Sequence, residues 1–397
     1  MTLLYKNSSL ITDETIAKDR NLVASYTKHL EEVAKKNNYD DPESSINLPF
    51  DSNLLETVIS LKEKLVTPKL KYIVDIGIGG SNLGTKAVYD ALFGAYDILT
   101  PNRFPKMLFA DTVDPEFMGK LTNLLKTEIK GPEEVLLCVI SKSGGTTETL
   151  ADFETVYRDE FSKRTVVISG ADSKLTAEAE AKEFPTLFIP TQVGGRFSVL
   201  SAVGLFPLMA CGIEVDALIA GARNVRADME TALISAVAIY ENQNAGKIIN
   251  NNFFFHPELE SLGKWYRQLM GESLGKEGKG IVPIVSVGST DLHSVGQLYL
   301  GGPNNETTTF VYTKEMGKIM GAILSGVKIA YQKHGIPFIE VILDDLSPRS
   351  VGEFFQYKMM EMMYLGKLLG VNTFDQPNVE SYKIETREIL AEERFGQ

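Results

Sequence analysis

The chain has 397 residues, 44% of them hydrophobic, and a net charge of −12 from 40 basic and 52 acidic side chains. That length supports about two domains with sizeable cores, and the acidic balance opposes binding to a nucleic-acid backbone. No apolar run approaches the roughly 20 residues that span a bilayer, and the opening MTLLYKNSSLITDET lacks the apolar core of a secretory signal, so a cytoplasmic protein with neither membrane nor nucleic-acid partners is expected.

Residues 14–36 and 53–65 carry helical spacing and are joined by a polar, proline-containing loop around Asn37 to Pro49. Strands then alternate with helices: KYIVDIG from Lys71, a helix from Thr85 to Phe93, MLFA at Met107, a helix near Pro115 to Lys126, VLLCVI at Val135, a helix from Thr146, and TVVIS at Thr165. Such alternation implies a doubly wound parallel sheet with right-handed crossovers. A helical block from Ser198 to about Asn250 interrupts it, after which strands resume with IVPIVSVG at Ile281, TTTFVY at Thr307 and FIEVILDD at Phe338. Helices from about Gly317 and Ser350 flank this second set, and a helix from Val379 to Glu393 closes the chain. Cys138, in a strand pattern, and Cys211, in a helix pattern, read as core packing rather than as a disulfide or metal site.

The strand VLLCVI runs directly into SKSGGTTET. Backbone N–H groups at a helix start, glycines that remove obstructing Cβ atoms, and the hydroxyls of Ser141, Ser143, Thr146 and Thr147 together suit a phosphate. A simple cap by Thr146 or Thr147, with Glu148 in the first turn, explains the same residues without a ligand. A second glycine-rich turn, DIGIGGSNLG from Asp75 to Gly84, departs from the dinucleotide fingerprint because Asn82 stands where the third glycine belongs. Ser81 and its neighbouring amides offer instead a second approach to the same anion.

In GESLGK, Glu272 and Lys276 stand four apart and share a face if the helix persists that far; spacing alone favours an ordinary solvated pair. Arg196, after two glycines in GGRFS, can reach an anion or a developing oxyanion, and His293 follows a strand end with Thr290 or Asp291 as cap, where open α/β sheets place ligand contacts. Taken alone, a histidine or arginine is more often structural. H-E-x-x-H and C-x-x-C patterns are missing, which points to acid–base chemistry without a metal.

Taken in order, GIGGSNLG, SKSGGTTET, GGRFS, GESLGK, STDLHSVGQL and FDQPNVESYK resemble the motifs of phosphoglucose isomerases, over about Lys71 to Lys383. The resemblance implies an α/β fold of two sugar-isomerase-type three-layer αβα domains with parallel sheets: residues 51–212, which bind phosphate, and residues 213–375. A helical segment over 1–50 precedes them and a C-terminal helix over 376–397 follows. It further implies interconversion of glucose 6-phosphate and fructose 6-phosphate through a cis-enediol, in glycolysis and gluconeogenesis, with no metal or cofactor. Matched motif by motif, the phosphate pocket falls on Ser81, Ser141, Ser143 and Thr146, with Gly80, Lys142 and Thr147 beside it. Glu272 takes the place of the catalytic base and Arg196 that of the group steadying the enediolate. His293 and Lys383 match residues that assist ring opening, and Gln376 a substrate contact. The resemblance also implies a homodimer in which His293 is lent by the partner subunit.

Overall fold

Strands of Val, Leu and Ile without polar alternation belong where both faces are covered, and Val135–Ser141 is the clearest case, with all seven residues buried. In the computed structural model, which describes residues 1–395, this strand lies at the centre of one of two five-stranded sheets. The chain opens with β1 (Thr2–Leu4), α1 (Asp13–Leu22), α2 (Ala24–Lys36) and α3 (Ser52–Leu65). The first sheet and its helices follow: β2 (Tyr72–Ile76), α4 (Leu83–Phe93), β3 (Lys106–Ala110), α5 (Pro115–Glu128), β4 (Val135–Ser141), α6 (Thr147–Val156), β5 (Thr165–Ser169), α7 (Lys174–Ala181) and β6 (Thr186–Phe188). Three helices, α8 (Ala202–Ala210), α9 (Val215–Ala227) and α10 (Glu230–Asn244), lead to β7 (Ile249–Phe254), α11 (Glu260–Leu274), β8 (Val282–Val287), α12 (Thr290–Ser294) and α13 (Gly296–Gly301). The chain ends with β9 (Glu306–Thr313), α14 (Lys318–Lys333), β10 (Phe338–Leu343), α15 (Pro348–Leu369) and α16 (Val379–Phe395).

The first sheet is wholly parallel, in the order β3-β2-β4-β5-β6. Because the chain steps from β2 outward to β3 and then back across to β4, the loops after β2 and β4 diverge at their carboxyl ends and leave a crevice there, the place where open α/β sheets bind ligands. Leu121, Phe153 and Leu175 of α5, α6 and α7 seal one face, and Val58, Val88 and Val203 of α3, α4 and α8 the other.

The second sheet has the order β1-β10-β9-β7-β8, with β7 to β10 parallel and β1 antiparallel to β10. On one face Phe253 and Phe310 pack with Leu324 and Tyr331 of α14; on the other, α11 and α15 cover Phe254 and Val341. Helix α15 starts with Ser347 accepting from the Ser350 N–H and Pro348 in the first turn, and stops at Gly370 in the left-handed region, as capping chemistry favours. Every residue from Ser350 to Gly366 is buried, including the ion pair Lys358–Glu361 at 2.9 Å. The carboxylate of Glu361 also accepts from Tyr266 Oη at 2.7 Å and from Ser235 Oγ, so α10, α11 and α15 share one polar knot.

Several elements differ from the sequence reading. The first fifty residues open with a strand, not a helix, and the 14–36 helix breaks at Val23 into α1 and α2. The Asn37 to Pro49 loop is mostly a buried 3₁₀ turn, Pro42–Phe50, because Asn47 Nδ2 donates to Val33 O at 3.1 Å and Arg226 lies 3.4 Å over the Phe50 ring. Strands β6 and β7 are additional, and β7 is an inner strand, between β9 and β8. Its Asn250, Asn251 and Asn252 are fully buried, held partly by Ser286 Oγ donating to Asn251 Oδ1 at 2.9 Å.

Breaking a buried ion pair strands a charge, at a cost of about 3–5 kcal/mol. Glu361→Gln is accordingly expected to lower the urea unfolding free energy by about 3 kcal/mol, and Lys358→Met combined with Glu361→Leu by less than the two single changes summed.

Candidate active site

The crevice is built from glycines first. A Cβ on Gly77 would sit 2.9 Å from Ser81 Cβ and 3.0 Å from Ile140 O, so the loop after β2 can lie against the end of β4 only because that side chain is missing. A Cβ on Gly80 would lie 2.2 Å from the Gly195 carbonyl carbon and 2.5 Å from Arg196 N. The backbone carrying Ser81 and the backbone carrying Arg196 are therefore in direct contact.

After β4 the chain turns through Lys142, Ser143, Gly144 and Gly145 into α6. Ser141 Oγ and Thr146 Oγ1 are 2.9 Å apart, the Gly144 N–H donates to Ser141 Oγ at 3.2 Å, and the Gly145 N–H to Ser143 Oγ at 3.3 Å. Gly144 has φ +66° and abuts Ser173, a position that only glycine fills without strain. Thr146 is the N-cap and Thr147 the first residue of α6, but the Thr146 side chain makes no cap bond to the helix backbone; it is turned toward Ser141. Lys142 Nζ donates to Thr191 O at 2.7 Å. Burial, and after it the Arg196 charge, draw its pKa below the ordinary lysine value.

Arg196 lies at the junction of the two sheets, with 2% of its side chain exposed. Its Nε donates to Ser273 Oγ at 2.9 Å. Nη1 reaches Glu272 Oε2 at 3.2 Å and Gln376 Oε1 at 2.9 Å. Nη2 reaches the carbonyls of Thr373 at 2.6 Å and Asp375 at 3.1 Å. Burial pulls the guanidinium pKa down and Glu272 opposes the shift; arginine stays charged in either case. Behind it, Trp265 Nε1 donates to the Arg196 carbonyl at 3.2 Å.

Glu272 stands near the end of α11 with its second oxygen held by Gln268 Nε2 at 3.0 Å. Gln268 is a residue the sequence reading missed, although its place one turn before Glu272 was the available signal. Its amide also covers Gly79, where a Cβ would meet Nε2 at 2.8 Å. Lys276 does not share a helical face with Glu272, since α11 stops at Leu274; it pairs with Asp375 at 2.7 Å. Gln376, Arg196 and Glu272 thus come together, whereas two other candidates remain apart in the single chain. His293 is exposed in the five-residue α12 and hydrogen-bonds to none of these three among the described residues. Lys383 pairs with Glu380 at 3.1 Å within α16.

A family model described as phosphoglucose isomerase matches residues 52–313. The chain is 34% identical over 366 residues to a glucose-6-phosphate isomerase of Symbiobacterium thermophilum, covering 81% of each chain. It is 32% identical to one of Parabacteroides distasonis, covering 95% of each. Among solved structures, a glucose-6-phosphate isomerase from Chlamydia trachomatis superposes with a TM-score of 0.83 at 20% identity, over 98% of this chain and 88% of that one.

The contact at Gly80 leaves no room for a methyl group, and overpacking of this kind costs about 1–3 kcal/mol. Gly80→Ala is expected to lose that much in chemical denaturation. Gly145→Ala, whose Cβ meets nothing within 4 Å, is expected to change stability by less than about 0.5 kcal/mol.

Proposed function

The chain belongs to the phosphoglucose isomerase family, and from that premise we propose that Glu272 is the base of its reaction and Arg196 the charge that stabilises the intermediate. The reaction is the interconversion of glucose 6-phosphate and fructose 6-phosphate. In this reading Ser81, Ser141, Ser143 and Thr146 hold the 6-phosphate, with Gly80, Lys142 and Thr147 beside them. Residues 51–212 form the phosphate-binding domain and residues 213–375 the second.

The observation that carries the reading is the Arg196–Glu272 contact at 3.2 Å, in a pocket whose arginine is buried. Removing a proton from C2 of the open-chain sugar puts negative charge on the neighbouring oxygens, a poor prospect unless fixed positive charge awaits it. Glu272 is the only carboxylate paired with Arg196 among the described residues. As Glu272 accepts the proton it loses its charge just as the enediolate gains one, so the guanidinium exchanges one anion for another and the net charge of the pocket stays constant. The same carboxyl returns the proton to C1 on the same face of the planar cis-enediol. Its second oxygen, kept by Gln268, limits rotation between the two transfers. A clamp on the phosphate, distant from C1 and C2, converts binding energy into alignment at those carbons.

His293 and Lys383 assist ring opening in this scheme, and Gln376 contacts the sugar. We place His293 in the site of a second subunit of a cytoplasmic homodimer. Its exposure supports this, as do Tyr382, Ile389 and Leu390, large exposed apolar side chains whose spacing puts them on one face of α16; apolar side chains grouped in this way mark an interaction surface.

Glu272→Gln is expected to bind fructose 6-phosphate within about threefold of the parent while turnover falls by about 10²–10⁴; parent-like turnover refutes the assignment. Mixing inactive Glu272→Gln and His293→Ala proteins under subunit exchange is expected to restore about a quarter of parental activity, because hybrid dimers regain one complete site. No recovery in mixtures shown to exchange refutes donation of His293 across the interface.

A further inference from the structure

Lys276 is left without a role once its pairing with Glu272 is set aside. It is 7% exposed, and lysine is seldom buried without a specific partner. Helix α11 ends at Leu274; the Gly275 N–H donates to Gly271 O at 3.0 Å and the Lys276 N–H to Leu274 O at 2.9 Å, turning the lysine inward. Its ammonium donates to the Asn372 carbonyl and, at 2.7 Å, to Asp375 Oδ1. The other Asp375 oxygen accepts from Asn372 Nδ2 at 2.8 Å, and Asn372 Oδ1 from the Phe374 N–H at 3.0 Å. Burial disfavours the lysine charge and Asp375 is its principal support.

We infer that Lys276 is a positioning residue: its ammonium ties the end of the helix bearing Glu272 to the segment bearing Gln376, and so fixes the root of the helix bearing Lys383. The segment 372–376 hangs from two buried cations. Arg196 holds its carbonyls at Thr373 and Asp375, and Lys276 holds the Asn372 carbonyl and the Asp375 side chain. Arg196 also faces the reacting carbons in the proposed mechanism and cannot be altered without changing the chemistry. Lys276 has no such second duty. Past Gln376 the ion pairs of α16 among the described residues are internal, Glu380 with Lys383 and with Arg387, so the place of Lys383 is set at the root. A small shift of positioned groups costs far more in rate than in binding.

This inference rests on the proposed roles of Gln376 and Lys383, and the experiment separates the two. Steady-state kinetics of Lys276→Met, Asp375→Asn and the double variant are measured beside Glu272→Gln, with thermal melts to confirm folding. Lys276→Met is expected to lower kcat about tenfold or more with KM changed by less than about threefold. The double variant is expected to be no slower than the slower single one, since either change breaks the same tie. A kcat within threefold of the parent, a rise in KM alone, or multiplicative losses in the double variant overturn the inference. Should Lys276→Met not fold, Asp375→Asn is judged on the same kcat and KM criteria. Parent-like kinetics of Lys276→Met beside an inactive Glu272→Gln remove only the role of Lys276; an active Glu272→Gln removes the reading of the site on which it stands.

Discussion

The structure around the crevice depends on keeping one guanidinium charged where water cannot reach it. A buried cation is tolerated only when its donors are met and a counter-charge is near, and Arg196 meets both conditions with groups from two separate parts of the chain: Ser273 and Glu272 on α11, and, in the segment 373–376, the carbonyls of Thr373 and Asp375 with the amide of Gln376. Solvating this one side chain from inside the protein requires the second sheet's helix and the C-terminal segment to converge on a loop that follows the first sheet.

Convergence also needs room, and glycine supplies it. The loops after β2 and β4 already diverge at the point where the strand order reverses. Gly77 lets the first of them press against β4, and Gly80 lets it touch the backbone of Gly195. The hydroxyls of Ser141 and Thr146 and the carboxylate of Glu272 therefore belong to a single frame even though they come from different sheets. Lys142 carries the electrostatic mark of that closeness, for the charge of Arg196 contributes to its depressed pKa.

Much of this frame was legible in the sequence. Apolar runs such as VLLCVI marked most of the inner strands, and the motifs containing Ser141, Arg196 and Glu272 marked groups that line the crevice. Strand β7 escaped because INNNFF carries three asparagines, which strands disfavour, and only the flanking strands and Ser286 show how they are accommodated. Strand β1 is three residues long and gains its identity from an antiparallel partner more than three hundred residues later. Lys276 misled for a similar reason: spacing suggested a helical pair with Glu272, but the helix ends two residues before it, and its true partner, Asp375, lies far along the chain. Local periodicity reports what a segment can bury, whereas long-range ion pairs depend on where the chain returns.

The chain contains one tryptophan, and it is the residue whose indole N–H meets the Arg196 carbonyl. Trp265 is 1% exposed and packs edge-on against Phe355, with ring centroids 4.4 Å apart. Ultraviolet emission excited at the red edge of protein absorbance, where tyrosine contributes little, therefore originates from a single point one hydrogen bond behind the central cation. The molecule carries its own optical probe of that pocket, and no label need be introduced to follow events there.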